Sequence, residues 1–459
     1  MKKELSALFV YVGMDHYVSK GGVLGFVITQ SVFKTGANEG FRRFASGPEK
    51  PFRVLGVSDL SLSLPFDTAT NRTAVLLAQK GELTRYPLPY RFWVPTSARP
   101  SVDEADLRSV LDCFDVQEWL AAPVEPAVLG STWLTAPKDA FPILQRIIGD
   151  RSEAIMDRAY AGSCTWLNGV FWVDVVETKD RRSVIKNLGE VGRTKVETSI
   201  ASIENDYLFP LLRGRDVQAW HARASAHILV PHHGEDFSEP VSVAELKRKA
   251  PLTFEFLKGF EKPLRKRSGY KQLHKERPEF YVLGNLGNYT LAPYKVVFKD
   301  LTEVFQCAVV GPVALAGLAG KPVIPDHTLL FLTCQSRDEA YFLGGVLNSI
   351  PCRAALYSAS AGVQTQRYFP TDVSRIRLPQ FDPKDSRHGD VVRLSISCHE
   401  SADGSRSVDA PSKEEIELAG IVSELWKIAR KEQQHVMDYY TEILTFRSRH
   451  GGVQEEAED

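Results

Sequence analysis

The chain opens with a helical pattern of apolar positions that gives way to a continuous apolar run. Apolar side chains recur at roughly helical spacing from Leu5 to Tyr17, which predicts an amphipathic helix. Gly21 and Gly22 follow, and glycine is typical of the position that ends a helix. Residues 23–28 then form a continuous apolar run, which predicts a strand covered on both faces of a sheet.

Two further strand-like stretches lie within residues 1–90. Residues 52–60 alternate between apolar and polar side chains, and residues 73–78 form another apolar run. A helix followed by three strands predicts the distal half of a doubly wound α/β sheet. Because half a sheet leaves one strand unpaired, we expect this segment to expose an apolar edge and to associate with a partner.

The glycines of this segment do not suit a cofactor cradle. They precede their strand, whereas a dinucleotide site has its glycine-rich turn after the first strand and before a helix. We therefore interpret residues 21–25 as an ordinary turn, and we expect no cofactor-binding residue in this chain.

The rest of the chain divides into segments that differ in their predicted secondary structure. We expect a helical, proline-rich connector over 91–150, with one helix at 103–119, and a β-rich domain over 151–385. Residues 386–459 should form a polar loop (386–411), a C-terminal helix and an acidic tail. Ser412 and Glu415 form an S-x-x-E capping box, which predicts that the last helix begins there. The expected fold class is thus α/β followed by α+β.

Composition narrows the class of protein. The chain has 459 residues, a net charge of −1 and 43% hydrophobic residues, which suits a globular protein of about three domains. No apolar stretch approaches the roughly 20 residues that a membrane span needs, so we expect no membrane association. The six cysteines include no C-x-x-C pair, which indicates reduced thiols and a cytoplasmic location.

The histidines do not indicate a metal site. Eleven are present, but none has the spacing of a zinc ligand set. His232 and His233 follow Pro231 in a predicted turn, and we interpret them as ordinary surface residues. We expect no metal ligand and no metal requirement.

The positive charges carry the candidate chemistry. Residues 261–277 read EKPLRKRSGYKQLHKER, with seven basic side chains against two acidic ones. Such a run with interleaved planar side chains can contact phosphates and stack on bases, while a solvated helix face is the alternative. The candidates for DNA contact here are Arg265, Lys266, Arg267 and Lys271.

Two smaller basic groups lie on other segments. Arg213 and Arg215 flank Gly214 after an apolar run, and arginine forks suit bidentate contact with phosphate or a guanine edge. A salt bridge to Asp216 or Glu204 is the alternative. Lys295 and Lys299 have the even spacing that projects two side chains from the same face of a strand, and they are further candidates.

Several segments, in order, resemble one family. They are YVSKGGVLGFVITQSVF (17–33), LPFDTATNRTAVLLAQKG (64–81), GSCTWLNGVFWV (162–173), IENDYLFPLLRGRDVQAW (203–220), YTLAPYKVVFKD (289–300), PDHTLLFLTC (325–334), YFLGGVLNS (341–349) and FPTDVSRIRLPQFDP (369–383). Together they resemble the gamma-type adenine-N6 DNA methyltransferases of type II and IIG restriction–modification systems, with their Taq-type C-terminal specificity domain. The resemblance covers most of residues 5–385.

The resemblance implies methyl transfer from S-adenosylmethionine to the amino group of an adenine that is flipped out of double-stranded DNA. Phe66 would stack on the flipped base, and an ordinary core aromatic is the alternative. The family's Asn-Pro-Pro-Tyr motif is absent, since no Asn-Pro or Pro-Pro pair occurs in the chain. We therefore expect no catalytic residue here, and we expect S-adenosylmethionine to be bound only by the complete enzyme.

Three hypotheses remain open from the sequence. The leading one is the DNA-recognition portion and one wall of the catalytic sheet of an adenine methyltransferase, with an N-terminal methyltransferase subunit or domain as partner. In that case the chain is part of a site-specific DNA adenine-N6 methyltransferase, although it lacks enzymatic motifs of its own. The alternatives are a stand-alone DNA-binding specificity protein without enzymatic activity, and a degenerate remnant that folds poorly.

Overall fold

The structure is a computed structural model of a mixed α and β chain with several sheets. It describes residues 4–63, 65–66, 71–96, 106–233, 236–273, 276–302, 304–318, 320–360, 366–367, 370–404 and 410–450. Its strands and helices fall into three regions along the chain: a first sheet, a β-rich region and a set of C-terminal helices.

The first sheet has six strands in the order β1-β3-β2-β4-β5-β6. Its strands are β1 (Val23–Thr29), β2 (Phe52–Asp59), β3 (Thr73–Lys80), β4 (Leu88–Pro95), β5 (Phe114–Pro123) and β6 (Trp133–Pro137). The helices beside it are α1 (Leu5–Val12), which continues as a π-helical turn (Gly13–Tyr17), α2 (Leu107–Asp112), α3 (Phe141–Ile147) and α4 (Glu153–Met156). The expected N-terminal helix and the strands that follow it are therefore present.

Strand direction departs from the expected doubly wound pattern. β3 runs antiparallel between β1 and β2, and only the pair of β2 and β4 is parallel among neighbouring strands of this sheet. The expectation that residues 23–28 are covered on both faces is wrong, because β1 lies at the sheet edge and its Val23 and Val27 side chains are 51% and 49% exposed. An apolar run reveals the affinity of a strand for a covering layer, but not whether that layer is present.

The expected helical connector over 91–150 is also corrected. Within the described residues the helix at 103–119 is reduced to α2, and β5 begins at Phe114. Cross-strand pairing with β4 overrides the helical spacing, since Trp119 stacks on Phe92 with ring centroids 4.4 Å apart. Residues 91–150 thus supply the end of β4 and all of β5 and β6 to the first sheet.

The β-rich region contains two larger sheets, of order β10-β9-β8-β14-β11-β20 and β19-β17-β21-β7. Its strands are β7 (Ala159–Ala161), β8 (Trp172–Lys179), β9 (Arg182–Asn187), β10 (Ile200–Glu204), β11 (Leu208–Leu212), β12 (Val217–Gln218), β13 (His221–Ala222), β14 (Ala226–Leu229), β15 (His232–His233), β16 (Glu239–Pro240), β17 (Tyr294–Lys299), β18 (Leu301–Thr302), β19 (Cys307–Val310), β20 (Ile324–Pro325), β21 (Leu329–Cys334) and β22 (Gln366–Arg367). Its helices are α5 (Asn168–Phe171), α6 (Val243–Lys249), α7 (Pro251–Gly259), α8 (Glu261–Lys266) and α9 (Ser268–Leu273).

The C-terminal helices are more extensive than expected. They are α10 (Arg337–Asn348), α11 (Ile350–Ala359), α12 (Pro370–Val373), α13 (Ser386–Ser401), α14 (Lys413–Leu425) and α15 (Arg430–His450). The expected polar loop over 386–411 is wrong, because α13 occupies most of it and buries Val391, Leu394 and Cys398. The capping box is confirmed: Ser412 and Glu415 each accept a hydrogen bond from the other's backbone N–H.

The helices join the two sheet regions. One continuous hydrophobic core contains side chains of the first sheet, of β17, β19 and β21, and of α10, α11 and α13–α15. A second core fills the space between the six-stranded sheet of the β-rich region and α5–α9. An ion pair of 3.0 Å between Arg375 and Glu125 also ties the segment after α12 to the first sheet.

Candidate nucleic-acid interface

Two turns of the β-rich region lie side by side because their strands are parallel neighbours. In the register of β11 and β20, Leu211 is opposite Ile324 and Leu212 is opposite Pro325. The turns that follow these strands, 213–216 and 326–328, therefore emerge at the same edge of the sheet. The first turn contains both candidate arginines.

Arg213 is an internal anchor of its turn. Its backbone N–H and its Nε both donate to Asp216, at 2.9 and 3.1 Å, and the guanidinium also donates to Ser225. Ser225 in turn donates to the same carboxylate at 2.7 Å. The structure thus supports the salt-bridge alternative for Arg213, because its buried side chain reaches DNA only if this pair breaks. Glu204 instead accepts from Thr253 at the start of α7.

The second turn holds the first one in place. Gly214 donates its N–H to the Thr328 hydroxyl at 3.0 Å, and Thr328 donates to the carboxylate of Asp326. A Cβ atom at position 214 would lie 2.7 Å from the Thr328 hydroxyl oxygen, so only glycine allows this approach. Asp326 is 1% exposed, and burial raises the pKa of its carboxyl group.

The exposed side chains of these turns are cationic or titratable. Arg215 is exposed and has no ion pair among the described residues. His327, in the second turn, is also exposed and was missed by the sequence reasoning, although its polar neighbours between two apolar runs were a signal of an exposed turn. Asp300 donates its N–H to the Thr328 carbonyl at 3.0 Å, which brings the end of β17, with half-buried Lys299, to the same place.

The basic run at 261–277 forms α8 and α9, and its members differ sharply in exposure. Lys262 and Lys266, one turn apart on α8, are exposed, as is Lys271 on α9, and within the described residues none of the three has an ion pair. Arg265 is half exposed, because it pairs with Glu261 at 2.8 Å and lies over the Tyr270 ring. His274 and Lys275 lie outside the described residues.

Arg267 is buried and its role is structural. Its guanidinium donates to the carbonyl oxygens of Leu264, Thr165, Phe280 and Val282, at 2.6 to 3.0 Å. It is 4% exposed, and burial lowers its pKa to about 9. The structure therefore leaves Arg267 no free donor fork for DNA, and assigns it instead to joining α8 and α9 to two distant segments.

Lys295 is likewise internal. The even spacing does place Lys295 and Lys299 on one face of β17, but that strand lies between β19 and β21 and its middle is covered. Lys295 is 1% exposed and donates to the Ala292 carbonyl at 2.7 Å, and burial lowers its pKa to about 7. Of this pair, only Lys299, at the strand end, approaches the surface.

One short segment connects the two turns to the basic helices. Ser163 donates its N–H to the Pro325 carbonyl at 2.8 Å, and Thr165 accepts from Arg267 at 2.6 Å. Two residues of extended chain reach about 7 Å, so the paired turns and the start of α9 border the same part of the molecule. Arg215 and His327 are exposed on the paired turns, and Lys266 and Lys271 are exposed on the basic helices.

Phe66 lies far along the chain from these residues, in the loop between β2 and β3. It is 50% exposed, so the core-aromatic alternative is not what the structure shows. Leu64 and residues 67–70 lie outside the described residues. At the end of β2 beside this loop, Asp59 is buried against the Tyr90 hydroxyl, and burial raises the pKa of its carboxyl group.

Two cavities of the described part of the chain lie beside the first sheet, away from the basic helices. An open groove of about 330 Å³ lies beside the first sheet, between Arg43, Leu83, Tyr86 and Leu129. A smaller cavity of about 20 Å³ is lined by Asp59, Tyr357 and Tyr439 and is large enough for about one water molecule.

The described ranges of the chain offer no alternative metal or disulfide site. Within these ranges, no cluster of three or more His, Cys, Asp or Glu side chains could hold a metal ion. None of the six cysteines is in a disulfide. His232 is a correction to the expected surface histidine, since it is buried and accepts the Leu283 N–H at 3.0 Å, whereas His233 is exposed. No described helix has both the length and the apolarity needed to cross a bilayer.

Comparison with known proteins gives structural matches only. No protein-family model matches the chain, and no curated protein matches it. The fold is similar to the type IIL restriction–modification enzyme MmeI in complex with DNA, at 9% identity and a TM-score of 0.50, over 96% of this chain and 51% of that one. At this identity the similarity establishes a shared fold and no more.

Two further matches have lower TM-scores. The type IIG restriction endonuclease BpuSI matches with 12% identity and a TM-score of 0.29, over 96% of this chain and 50% of that one. A nuclease-deletion mutant of the type ISP restriction–modification enzyme LlaGI with a DNA substrate mimic matches with 9% identity and a TM-score of 0.35, over 83% and 35%. The chain thus spans about half the length of MmeI and BpuSI.

Proposed function

We propose that this chain is the DNA-sequence-recognition portion of an S-adenosylmethionine-dependent adenine-N6 DNA methyltransferase of a restriction–modification or phage-defence system. Two findings support the proposal. The ordered sequence segments resemble that family across most of residues 5–385, and the fold is shared with half of MmeI, an enzyme solved in complex with DNA.

The observation that carries the proposal is the group of exposed cations at the paired turns and the adjacent helices. Lys262, Lys266 and Lys271 have no carboxylate partner among the described residues, which suits contact with phosphates. Arg215 extends from a turn that is held by part-buried hydrogen bonds, and an arginine guanidinium offers a rigid bidentate fork to a guanine edge. We assign the lysines to the DNA backbone and Arg215 to base reading.

Catalysis would require a partner. The chain contains no Asn-Pro-Pro-Tyr motif and no glycine-rich cofactor turn, so a methyltransferase subunit or domain would supply S-adenosylmethionine and the catalytic loop. Half-exposed Phe66 is accessible to a flipped adenine, and in this scheme its ring would stack on that base.

The test combines binding with methylation. The chain, alone and with the polypeptide encoded immediately upstream of residue 1, is used to select duplexes from a randomised pool at low salt. The same proteins are then assayed for transfer of the labelled methyl group of S-adenosylmethionine to the selected duplex. The proposal expects one enriched sequence and adenine methylation only with both polypeptides. The absence of any DNA affinity, even with the upstream polypeptide, would refute it.

The missing Asn-Pro-Pro-Tyr motif favours a second candidate, a stand-alone DNA-binding specificity protein without enzymatic activity. The same assay separates the two. Sequence-selective binding by the chain alone, with no methylation when the upstream polypeptide is added, would replace the leading proposal with this one.

A further inference from the structure

The open groove beside the first sheet combines apolar walls with a buried cation. Its volume of about 330 Å³ is within the range of roughly 300–1,000 Å³ that small-molecule sites occupy. Leu83 and Leu129 are 73% and 67% exposed at its rim, and Tyr86 and Val128 are also exposed there. A ligand that covers these side chains removes apolar surface from water, which favours its binding.

Arg42 supplies the cation of this groove. It is 4% exposed and is one of the lining residues. Its Nε donates to the carbonyl oxygens of Gly130 and Ser131, both at 2.9 Å. Its Nη1 donates to the carbonyl oxygens of Val32 and Thr35, at 2.7 and 2.8 Å. The third nitrogen, Nη2, has no acceptor among the described residues and is not sealed from solvent.

The unpartnered Nη2 lies on the groove side of the guanidinium. In this planar group Nη2 shares an edge with Nε, and Nε contacts Gly130 and Ser131, which line the groove. In Arg267, by contrast, Nε, Nη1 and Nη2 all donate to carbonyl oxygens. Arg42 is thus held by four carbonyl groups and keeps two N–H donors for a ligand.

The charge of Arg42 is not neutralised by a carboxylate. Within the described residues Arg42 has no ion pair, and the nearby carboxylate of Glu39 pairs instead with Arg43 at the exposed rim, at 2.9 Å. Burial lowers the pKa of Arg42 to about 10, so the guanidinium remains charged at neutral pH. A buried charge without a counter-ion is costly, and an anion in the groove would offset that cost.

The loop that holds Arg42 is itself fixed. Gly130 has a φ of +81°, and a Cβ atom there would lie 2.4 Å from the Glu39 carbonyl oxygen, so only glycine fits. Ser131 donates its N–H to the Val128 carbonyl at 3.0 Å, and its hydroxyl accepts the Glu125 N–H at 3.1 Å. The carbonyl groups that orient Arg42 are therefore in place before a ligand binds, which lowers the ordering cost of binding.

The groove lies at the opposite end of the first sheet from Phe66. Thr84, a lining residue, accepts the Val54 N–H at 3.0 Å and donates to the Phe52 carbonyl at 3.2 Å, at the start of β2. Phe66 follows the other end of β2. The groove is thus separate from the loop assigned to a flipped adenine and from the basic helices.

We propose that the groove binds a small organic acid, with its carboxylate on Nη2 of Arg42 and its apolar body between Leu83 and Leu129. The two free N–H donors suit a carboxylate, whereas a phosphate group, with more oxygens and more charge, is normally held by more donors. The volume is about twice that of a cavity of ~150 Å³ that encloses benzene, which leaves room for one ring and a short chain. The site does not depend on the proposed function.

Two ligands of the same shape test the role of charge. Phenylbutyrate and its uncharged analogue phenylbutyramide are titrated separately into the full chain at low salt, and heat is measured by calorimetry. We expect one molecule of the acid to bind per chain and the amide to bind about tenfold or more weakly, because it cannot form charge-assisted hydrogen bonds with Arg42. Equal affinities, or no saturable binding of the acid, would overturn the proposal.

Two variants of one rim position locate the acid. Leu129→Glu and Leu129→Gln have side chains of nearly the same shape, but only the first adds a negative charge. We expect Leu129→Glu to bind phenylbutyrate about threefold or more weakly than Leu129→Gln does, and the two variants to bind phenylbutyramide alike. Because Leu129 is exposed, both should fold, which thermal unfolding checks. Equal affinities of the two variants for the acid would mean that it binds elsewhere and would overturn the proposal.

A third variant examines the guanidinium fork. Arg42→Lys keeps the charge but has no second nitrogen on the groove side, so it should bind phenylbutyrate about fivefold or more weakly than the unmodified chain. Undiminished affinity in a folded Arg42→Lys protein would overturn the role of Nη2. The Leu129 variants decide the position of the acid whether or not Arg42→Lys folds.

A peptide distinguishes a small acid from the end of a polypeptide. The probe is a tetrapeptide of three alanines and a C-terminal phenylalanine with a free carboxylate. Weaker binding of this peptide than of phenylbutyrate is expected, because the groove has room for one ring and a short chain only. Tighter binding of the peptide would overturn the small acid in favour of a polypeptide C-terminus. DNA affinity is unaffected by any of these outcomes, so their failure would leave DNA recognition standing.

Discussion

The Nε1–H of Trp220 donates a hydrogen bond of 2.7 Å to the carboxylate of Glu415, which lies 195 residues further along the chain. The other carboxylate oxygen of Glu415 accepts the Ser412 N–H at 2.9 Å and so caps α14. The guanidinium of Arg353 lies 3.9 Å from the same group. The buried side chain of Glu415 thus caps the N-terminus of α14 and attaches the β-rich region to the C-terminal helices.

Replacing Glu415 with alanine should therefore destabilise the whole chain. The change removes the side-chain half of the capping box, leaves the Trp220 Nε1–H without its acceptor and takes the neighbouring carboxylate from Arg353, which should lower the free energy of unfolding by about 2–4 kcal/mol. Urea unfolding measures the change. Glu417→Ala, on the exposed side of α14, is the control and should cost less than about 0.5 kcal/mol. Equal losses in the two variants would contradict the anchoring role of Glu415.

The neighbours Lys266 and Arg267 should have opposite phenotypes. Lys266→Ala should leave stability nearly unchanged, weaken binding to all duplexes alike and reduce the salt slope by about one unit, as expected for one lost phosphate contact. Arg267→Ala should lower the free energy of unfolding by about 2–4 kcal/mol, because four buried carbonyl groups lose their donor. Thermal unfolding and salt titrations of DNA binding measure the two effects. A stable Arg267→Ala protein with a reduced salt slope would show that Arg267 contacts DNA after all.

Alanine substitutions of Arg213 and Arg215 should likewise have different effects on stability and on DNA preference. Arg215→Ala should retain stability but lose about 1–3 kcal/mol of preference for its selected site, provided that the side chain reads a base edge. Arg213→Ala should unfold more easily, because it leaves the carboxylate of Asp216 without its ion pair. Competition between selected and random duplexes measures the preference. If Arg215→Ala weakened binding to both duplexes equally, Arg215 would be a backbone contact.

Buried His232 should make the chain sensitive to acid. Burial lowers its pKa from 6.5 to about 3, and its Nε2 must stay unprotonated to accept the Leu283 N–H. The unfolded chain therefore binds a proton that the folded chain does not between these two pKa values, and stability is lost as the pH falls through this window. Between pH 7 and 4.5 this loss should be roughly 2–3 kcal/mol for this residue.

Substitution of the two adjacent histidines tests the assignment. His232→Gln should flatten the dependence of the unfolding free energy on pH between 7 and 4.5, although it lowers stability at pH 7. His233→Gln, at the exposed neighbour, should leave the slope close to that of the unmodified chain. An unchanged slope in His232→Gln would show that other buried groups, such as His399, whose pKa burial lowers to about 4, dominate the acid response.

Features that depend on a few consecutive residues were predictable. The helix from Leu5 and the strand after it follow from the apolar spacing, and the capping box of Ser412 and Glu415 is present as expected. The helix α13 was not predicted, because polar His388 and Ser395 occupy buried positions of its apolar stripe. The expected helix at 103–119 includes the first six residues of β5, whose pairing with β4 outweighs their local pattern.

The sequence by itself determined the N-terminal helix, the strand after it, the capping box of α14, the absence of the Asn-Pro-Pro-Tyr motif and the positions of the basic runs, because each depends only on neighbouring residues. Only the tertiary structure decided which basic side chains face solvent. Arg267 is buried because Thr165, 102 residues away, supplies a carbonyl oxygen to it, while adjacent Lys266 remains exposed. Arg213 and Arg215 differ in the same way, since a turn points alternate side chains inward and outward and the inward one finds Asp216. The periodicity of the sequence indicates which face of its own strand or helix a side chain occupies. Contacts between distant segments determine whether that face is buried or exposed to solvent.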